Sequence, residues 1–471
     1  VSRKFLFPLI LLFACSGVSL AQTLQNLKNQ PPDGALITFQ LTDGTVMAQG
    51  NSQNDWWLLT PDNKGSYVNG TWKQLATLPS GYVPYAFASA VLADGRLIIE
   101  GGEYNFGNFA FTDLGAVYDP AKNTWTKQKP PKGWGFIGDS PSSVLPDGKY
   151  LLGRKFDKRI AVLDPKTMLW TELSDAGKHD ENAEEGWTLL PNGTILTVDV
   201  KGNPDSESYD PTAQKWSTLG NTPVNLQGPP EVGCIPYGHN KEYCPPGEIG
   251  PAILRPDGSV FATGALHLGE NTAHTAVYSN GTWTAGPDFP NGDQAGDSFA
   301  ALLPNGRVLV EGDSGTLYEF DGTKMTATAS GFGCLMVLPT GEILLNGAQT
   351  YTSTGKYQAS WAPTISSSPS SVTRGSTYPI SGTQFNGLSQ ANSFGDEFET
   401  ATNYPLVRIT NNKTGHVFYA KTHDHSSMGV ATGSATVSTN FDVPKGMETG
   451  ASSLVVVANG IPSKPVSVTV N

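Results

Sequence analysis

Seven stretches of the chain share one plan: an apolar run, a two-residue turn and a second apolar run. They read FQLTDGTVMAQG, AVLADGRLIIEGG, SVLPDGKYLLG, TLLPNGTILTV, ILRPDGSVFATG, ALLPNGRVLVEG and MVLPTGEILLNG, with turns at Asp43, Asp94, Asp147, Asn192, Asp257, Asn305 and Thr340. Asp-Gly and Asn-Gly between apolar runs mark hairpins, because both turn residues accept positive φ. A second hairpin follows most of them. VYDPAKNTW ends at Trp125, VLDPKTMLW at Trp170, SYDPTAQKW at Trp216 and VYSNGTW at Trp283, while LYEFDGTKM keeps Tyr318 but has Met325 in place of Trp. These aromatic pairs are spaced to pack within one unit. Two hairpins make a four-stranded sheet, and seven such sheets predict an all-β fold, a seven-bladed β-propeller. The repeat after Thr340 is the weakest, and a strand near the mature N-terminus is the candidate to complete it.

The texture changes after Trp361. A Ser/Thr/Gly-rich stretch, TISSSPSSVTRGSTYPISGTQFNG, leads into alternating segments such as PLVRITN, HVFYAKT, ATVSTNFDV, SLVVVANG and PVSVTV. They predict an immunoglobulin-like β-sandwich over residues 364–471, behind a propeller over 22–363. At the other end Arg3 and Lys4 precede an apolar run from Phe5 to Ala14, and Ser19-Leu20-Ala21 precedes Gln22. This reads as a signal peptide over residues 1–21, making the protein secreted or periplasmic. Leu12-Phe13-Ala14-Cys15 also has the outline of a lipoprotein box, which Phe13 fits poorly, so lipid anchoring through Cys15 is the lesser alternative. No other segment is apolar enough to span a bilayer. In an exported chain Cys234 and Cys244, bracketing a Pro/Gly-bearing loop, predict a disulfide, and Cys334 a buried thiol. Thirty Lys and Arg against 42 Asp and Glu give a net charge of -12. That disfavours nucleic acid and anionic membranes as partners and leaves a carbohydrate or an extracellular protein.

In its turn motif, its Gly101-Gly102 pair and its Tyr…Trp spacing the chain resembles the kelch-repeat propellers, the galactose oxidase type in particular, over Asp33 to Pro363. Proteins of that type also end in an immunoglobulin-like, early-set domain. The resemblance implies a fixed ring of sheets with its site on one loop-bearing face. In galactose oxidases the positions where first strands begin carry a tyrosine, a cross-linked cysteine and a Tyr-His pair that bind copper. This chain has no Tyr-His pair and no cysteine at that offset, and Tyr85 lies one residue off phase beside Ala86. Copper is therefore not expected. In the same family a hairpin of the C-terminal domain pushes a histidine up the channel. KTHDHSSMG, Lys421 to Gly429, is the counterpart, with His423 or His425 as the probe.

The position eight residues before each turn marks where a first strand begins, and equal offsets mean equal facing. Those residues are Ala35, Ala86, Asp139, Glu184, Ile249, Asp297 and Phe332, with Glu248 one residue out of phase. An acidic partial ring around the channel mouth is expected. The acids either bond backbone amides at strand starts or share a ligand. With His423 and His425, Asp139 and Asp297 would form a carboxylate–imidazole metal site suited to calcium, manganese or zinc. His267 and His274 fall on the same predicted face. Trp134 and Trp187 are either sugar-stacking faces there or core residues, and KHDENAEEGW reads as a solvated acidic loop. The functional expectation is a propeller binding a carbohydrate or protein ligand at its loop face, with a divalent cation such as calcium. An enzyme using the mouth acids on a saccharide is the alternative, and a copper oxidoreductase the third reading.

Overall fold

The computed structural model describes residues 23–201, 204–230, 233–237, 241–244 and 246–471. Residues 1–21, where a signal peptide is expected, and with them Cys15, lie outside the described residues. The described chain is all-β, with two short 3-10 turns as its only helical elements. Seven small antiparallel sheets, here numbered I to VII, span residues 37–74, 88–128, 142–173, 188–218, 252–285, 300–330 and 335–352; each has four strands except sheet VI, which gains a fifth, Asn392–Ser393. The Asp-Gly and Asn-Gly pairs form the tight turns between first and second strands. Asp43, Asp94, Asp147, Asn192, Asp257 and Asn305 each accept the amide two residues on, at 3.0–3.1 Å. Sheet VII has only three strands of its own, and its fourth is Thr23–Asn26, paired with Gln349–Thr352. The N-terminal strand thus completes the last repeat and ties the two ends of the ring together.

The Tyr…Trp pairs are packing devices. Tyr118 and Trp125 lie 5.1 Å apart, as do Tyr209 and Trp216, and Tyr278 and Trp283 lie 5.2 Å apart. Three indole N–H groups reach back to the preceding sheet. Trp125 donates to the Ala76 carbonyl at 3.0 Å, Trp170 to that of Lys129 at 2.7 Å, and Trp283 to the Ser206 hydroxyl at 2.7 Å. Trp125, Trp170 and Trp283 therefore fill their own sheets and link them to their neighbours, while the buried Trp216 indole N–H has no hydrogen-bond partner among the described residues.

The C-terminal residues form one curled sheet rather than two separate layers. Nine strands from Thr364–Ser367 to Val466–Val470 join in a single network. The strand Val417–His423 causes this: its first half pairs with Leu406–Asn411 and its last three residues with Val437–Asp442. One strand turning the corner makes a half-barrel-like sandwich around Val407, Ile409, Phe441 and Val456.

One segment of this domain, residues 386–404, leaves its sheet and runs among the first strands of the seven smaller sheets. Tyr404 donates to the Gln40 carbonyl in sheet I, and the Glu399 carbonyl accepts from Ser89 in sheet II. Gln390 bonds Ser143 in sheet III and the Leu189 amide in sheet IV. Asn392–Ser393 pairs with Ala300–Ala301 in sheet VI, packs on Ala252–Leu254 in sheet V, and accepts the Val337 amide in sheet VII. All seven first strands surround one segment, which is what makes the arrangement propeller-like. The disulfide Cys234–Cys244 is formed, clasping the hairpin of Ile235–Tyr237 and Lys241–Tyr243. Among the described residues no helix is long and apolar enough to cross a membrane.

Candidate functional site

Where the first strands begin, the loops enclose a cavity of about 510 Å³. The offset of eight residues finds its wall. Ala86, Asp139, Glu184, Asp297 and Phe332 all line it, and at the other two places sequence neighbours do so, Leu36 beside Ala35 and Glu248 beside Ile249. Ala86, Glu184 and Asp297 share a left-handed backbone, with φ of 50°, 55° and 50°. A strained conformation at equivalent positions of three sheets marks a place where geometry is set by more than local preference.

Eight carboxyl groups face the cavity: Glu103, Asp139, Glu184, Glu248, Asp297, Glu311, Asp396 and Glu397. The last two come from the inserted 386–404 segment. Gly186 and Gly395 make this insertion fit. Gly395 sits so close to sheet V that a Cβ there would lie 2.6 Å from the Ile249 carbonyl, and a Cβ on Gly186 would strike the Gly395 carbonyl. At the base lies Lys155, 1% exposed, whose ammonium hydrogen-bonds Asp139 and sits 2.6 Å from Glu184. Asp139 thus meets an ammonium rather than backbone amides, and its Oδ1 is buried without a hydrogen bond.

Burial without enough positive charge sets the protonation pattern. Desolvation pushes Asp139 well above the usual carboxylate range, with Lys155 opposing it. Asp396 and Glu397 are raised by burial, and Glu397 further by the charge of Asp396. Glu248 is pushed up to about 12 by burial and then by Glu184 and Asp297. Glu311 rises only to about 7, because the Gly333 amide donates to it at 2.8 Å and offsets part of the desolvation. Aromatic rings complete the wall. Tyr85, Tyr104, Phe299, Phe394 and Phe398 lie inside, and Phe109 and Phe332 stand exposed at the rim. Asp139, Glu184 and Asp396 bring ligand oxygens within 4.8 Å of one another, an arrangement able to hold a metal ion. Lys155 already supplies a positive charge to two of the three, so a bound cation would compete with its ammonium.

The other candidates are placed elsewhere. His423 lies between Asp424 and Asp442, at 2.8 and 3.2 Å, at the end of its strand. His425 is half-buried against the Tyr404 ring and 2.9 Å from Thr439, and desolvation pushes it down to about 3. Neither lines the cavity, because the domain inserts residues 386–404 and keeps the histidine hairpin in its own sheet. Trp134 is buried between Arg154 and Arg159, and Trp187 packs on Trp216, so both serve the core rather than a sugar face. His267 bonds the Gln227 carbonyl at 3.0 Å, and His274 lies between Glu270 and Asp288. KHDENAEEGW is not a solvated loop, since Glu184 and Glu185 are buried and ion-paired to lysines. Glu311 does share a repeat position, ending its second strand six residues after the turn as Glu100 does, but Lys155, Asp396 and Glu397 had no repeat signal to reveal them. Only the Gly-Asp pair at 395–396, shared with 138–139 and 296–297, hinted at one of these three. No cysteine or histidine lines the cavity, and Cys334 is buried against Thr38, 3.2 Å away, so no copper-type Cys–Tyr pair is present among the described residues.

No family model and no curated protein matches the sequence. Solved structures superpose on it distantly. A fungal alcohol oxidase of the AA5 family, in complex with copper, is 13% identical with a TM-score of 0.49, over 95% of this chain and 98% of that one. Streptogramin B lyase is 12% identical with a TM-score of 0.49, over 72% and 100%. Virginiamycin B lyase from Staphylococcus aureus is 12% identical with a TM-score of 0.46, over 70% and 99%. Likenesses this distant carry no argument about the chemistry of the cavity, which rests on its own residues.

Proposed function

We propose that the chain is an exported enzyme that cleaves a glycosidic bond by proton transfer between carboxyl groups of this cavity. In this reading residues 1–21 are a signal peptide and 22–363 a seven-bladed β-propeller. Residues 364–471 are an immunoglobulin-like domain whose inserted segment completes the site. The observation that carries the proposal is that one cavity holds carboxyl groups in contrasting environments. Glu311, at about 7, is poised to give up a proton near neutral pH. Glu184 is ion-paired to Lys155. Such a division is what acid–base chemistry needs. The protonated carboxyl gives its proton to the leaving oxygen as the carbon–oxygen bond breaks, and an ionised carboxylate takes a proton from the attacking water. Aromatic faces at Phe109 and Phe332 suit the apolar faces of sugar rings, and the remaining carboxyl groups suit their hydroxyls.

The test is release of reducing ends from a panel of neutral and amino polysaccharides, comparing the parent with Glu311→Gln. The variant should lose about a hundredfold in rate. No turnover on any member, or a variant as active as the parent, would refute the proposal. The second reading is binding without turnover, aided by a cation. The close oxygens of Asp139, Glu184 and Asp396 favour it. Glycan binding that requires calcium and produces no cleavage would select it.

A further inference from the structure

Beside the cavity, and separate from it, sheet IV encloses a second ionic cluster. Glu184 and Glu185 are consecutive but face different sites, the first toward the cavity and the second toward Lys178. The Lys178 ammonium is fully buried, 2.8 Å from Asp180, 2.6 Å from Glu185 and 2.8 Å from Glu207. Asp199 stands next to this group, 4.0 Å from the ammonium and with no exposed side-chain surface. Among the described residues no donor N–H or O–H reaches either of its oxygens, and its nearest polar neighbour is the carboxyl group of Glu207. A buried carboxylate left so is costly unless something else meets it. Four carboxyl groups against one ammonium leave an excess of negative charge.

The cluster is open on one side, where the His179 ring is 49% exposed. Its backbone N–H donates to Glu207 at 2.8 Å, which holds the residue against the cluster. Ring nitrogen, Asp199 oxygen and Glu207 oxygen come within 4.8 Å of one another. His179 Nδ1 lies 3.7 Å from Glu207 and 2.6 Å from Asp205, so a metal bound at this nitrogen would displace the Asp205 contact. We infer that His179, Asp199 and Glu207 form a binding site for one divalent transition metal, with Lys178 balancing the surplus carboxylates behind it. One imidazole with two carboxylates suits zinc or manganese better than calcium or magnesium. The metal would pin the loop that carries Glu184 and Glu185 to the strand after Asp199. The site rests on its own residues and not on the proposed saccharide chemistry.

The experiment is titration of chelator-treated, full-length protein with Zn2+ and with Mn2+, read by calorimetry and thermal melting, with Ca2+ and Mg2+ as controls. One Zn2+ or Mn2+ per chain should bind and raise the melting temperature. His179→Ala, at an exposed position that leaves the fold intact, and Asp199→Asn should each weaken binding at least about tenfold. Asp396→Asn, in the cavity, should not. Three results would overturn the inference. The first is absence of binding. The second is binding unaffected by both cluster variants. The third is binding lost in Asp396→Asn but kept in His179→Ala, which would assign the ion to the cavity. If the cluster instead holds only a proton, Asp199→Asn will raise the melting temperature and no metal will shift it.

Discussion

Replacing Lys155 by methionine isolates the charge balance at the base of the cavity. The side chain is of similar length, so the main loss is the ammonium that meets Asp139 and Glu184. Removing one member of a buried ion pair costs about 3–5 kcal/mol if the partner charge stays where it is. The variant has another route, which is to take up a proton. Burial already drives Asp139 toward its neutral form, so one further proton, on Glu184, suffices. Its cost is set by the distance between the solution pH and the ordinary glutamate value, about 4 kcal/mol at pH 7 and about 1 kcal/mol at pH 5. In sign terms, a carboxyl whose folded value is raised costs nothing below its unfolded value. The cost then grows as pH rises through the window above about 4.3. Urea unfolding of the parent and Lys155→Met at pH 5, 6 and 7 should therefore show a deficit that shrinks several-fold on acidification. Adding Glu184→Gln should remove most of it at pH 7. A deficit equal at pH 5 and 7, or below about 1 kcal/mol at pH 7, would refute a buried charge at this position.

Glu311 makes a related prediction: with a folded value near 7, its stability penalty grows from about pH 4.5 to 7, reaching about 3 kcal/mol. Glu311→Gln should flatten the dependence of urea midpoint on pH in that window. Asp293 has the opposite sign. The Ser314 hydroxyl donates to it at 2.6 Å and the Tyr318 hydroxyl at 2.8 Å, and with backbone amides they hold it below the usual range. Asp293→Asn should cost about 1–3 kcal/mol at pH 7. The difference from the parent should fade as pH drops below about 3.8, when the parent loses the same charge. Gly395→Ala should displace the inserted segment, because its Cβ would lie 2.6 Å from the Ile249 carbonyl. Limited proteolysis within residues 386–404 should become faster, and saccharide turnover should fall even though position 395 carries no reactive group.

The sequence by itself determined the sheets. Asp-Gly and Asn-Gly turns are local chemistry, and an apolar run on each side leaves few alternatives to a hairpin. The register they set was enough to bring Asp139, Glu184 and Asp297 to one cavity, because equal offsets along equivalent strands impose equal facing. Glu248 lines the same cavity although it is one residue out of phase. Tertiary structure alone decided the rest. Lys155 follows its sheet's second strand in an unremarked GRKFD, and meets Asp139 only when the loops fold over the mouth. Asp396 and Glu397 come from another part of the chain, through a segment held by five side-chain hydrogen bonds and one strand pairing, several of them to strands hundreds of residues away. The histidines of KTHDHSSMG had the right spacing to probe the channel, yet His423 found carboxylates and His425 the ring of Tyr404, at the end of the inserted segment. Local turn chemistry is written residue by residue. Which carboxyl group shares a dry cavity with which ammonium depends on packing between distant segments, and with it depends where protons sit.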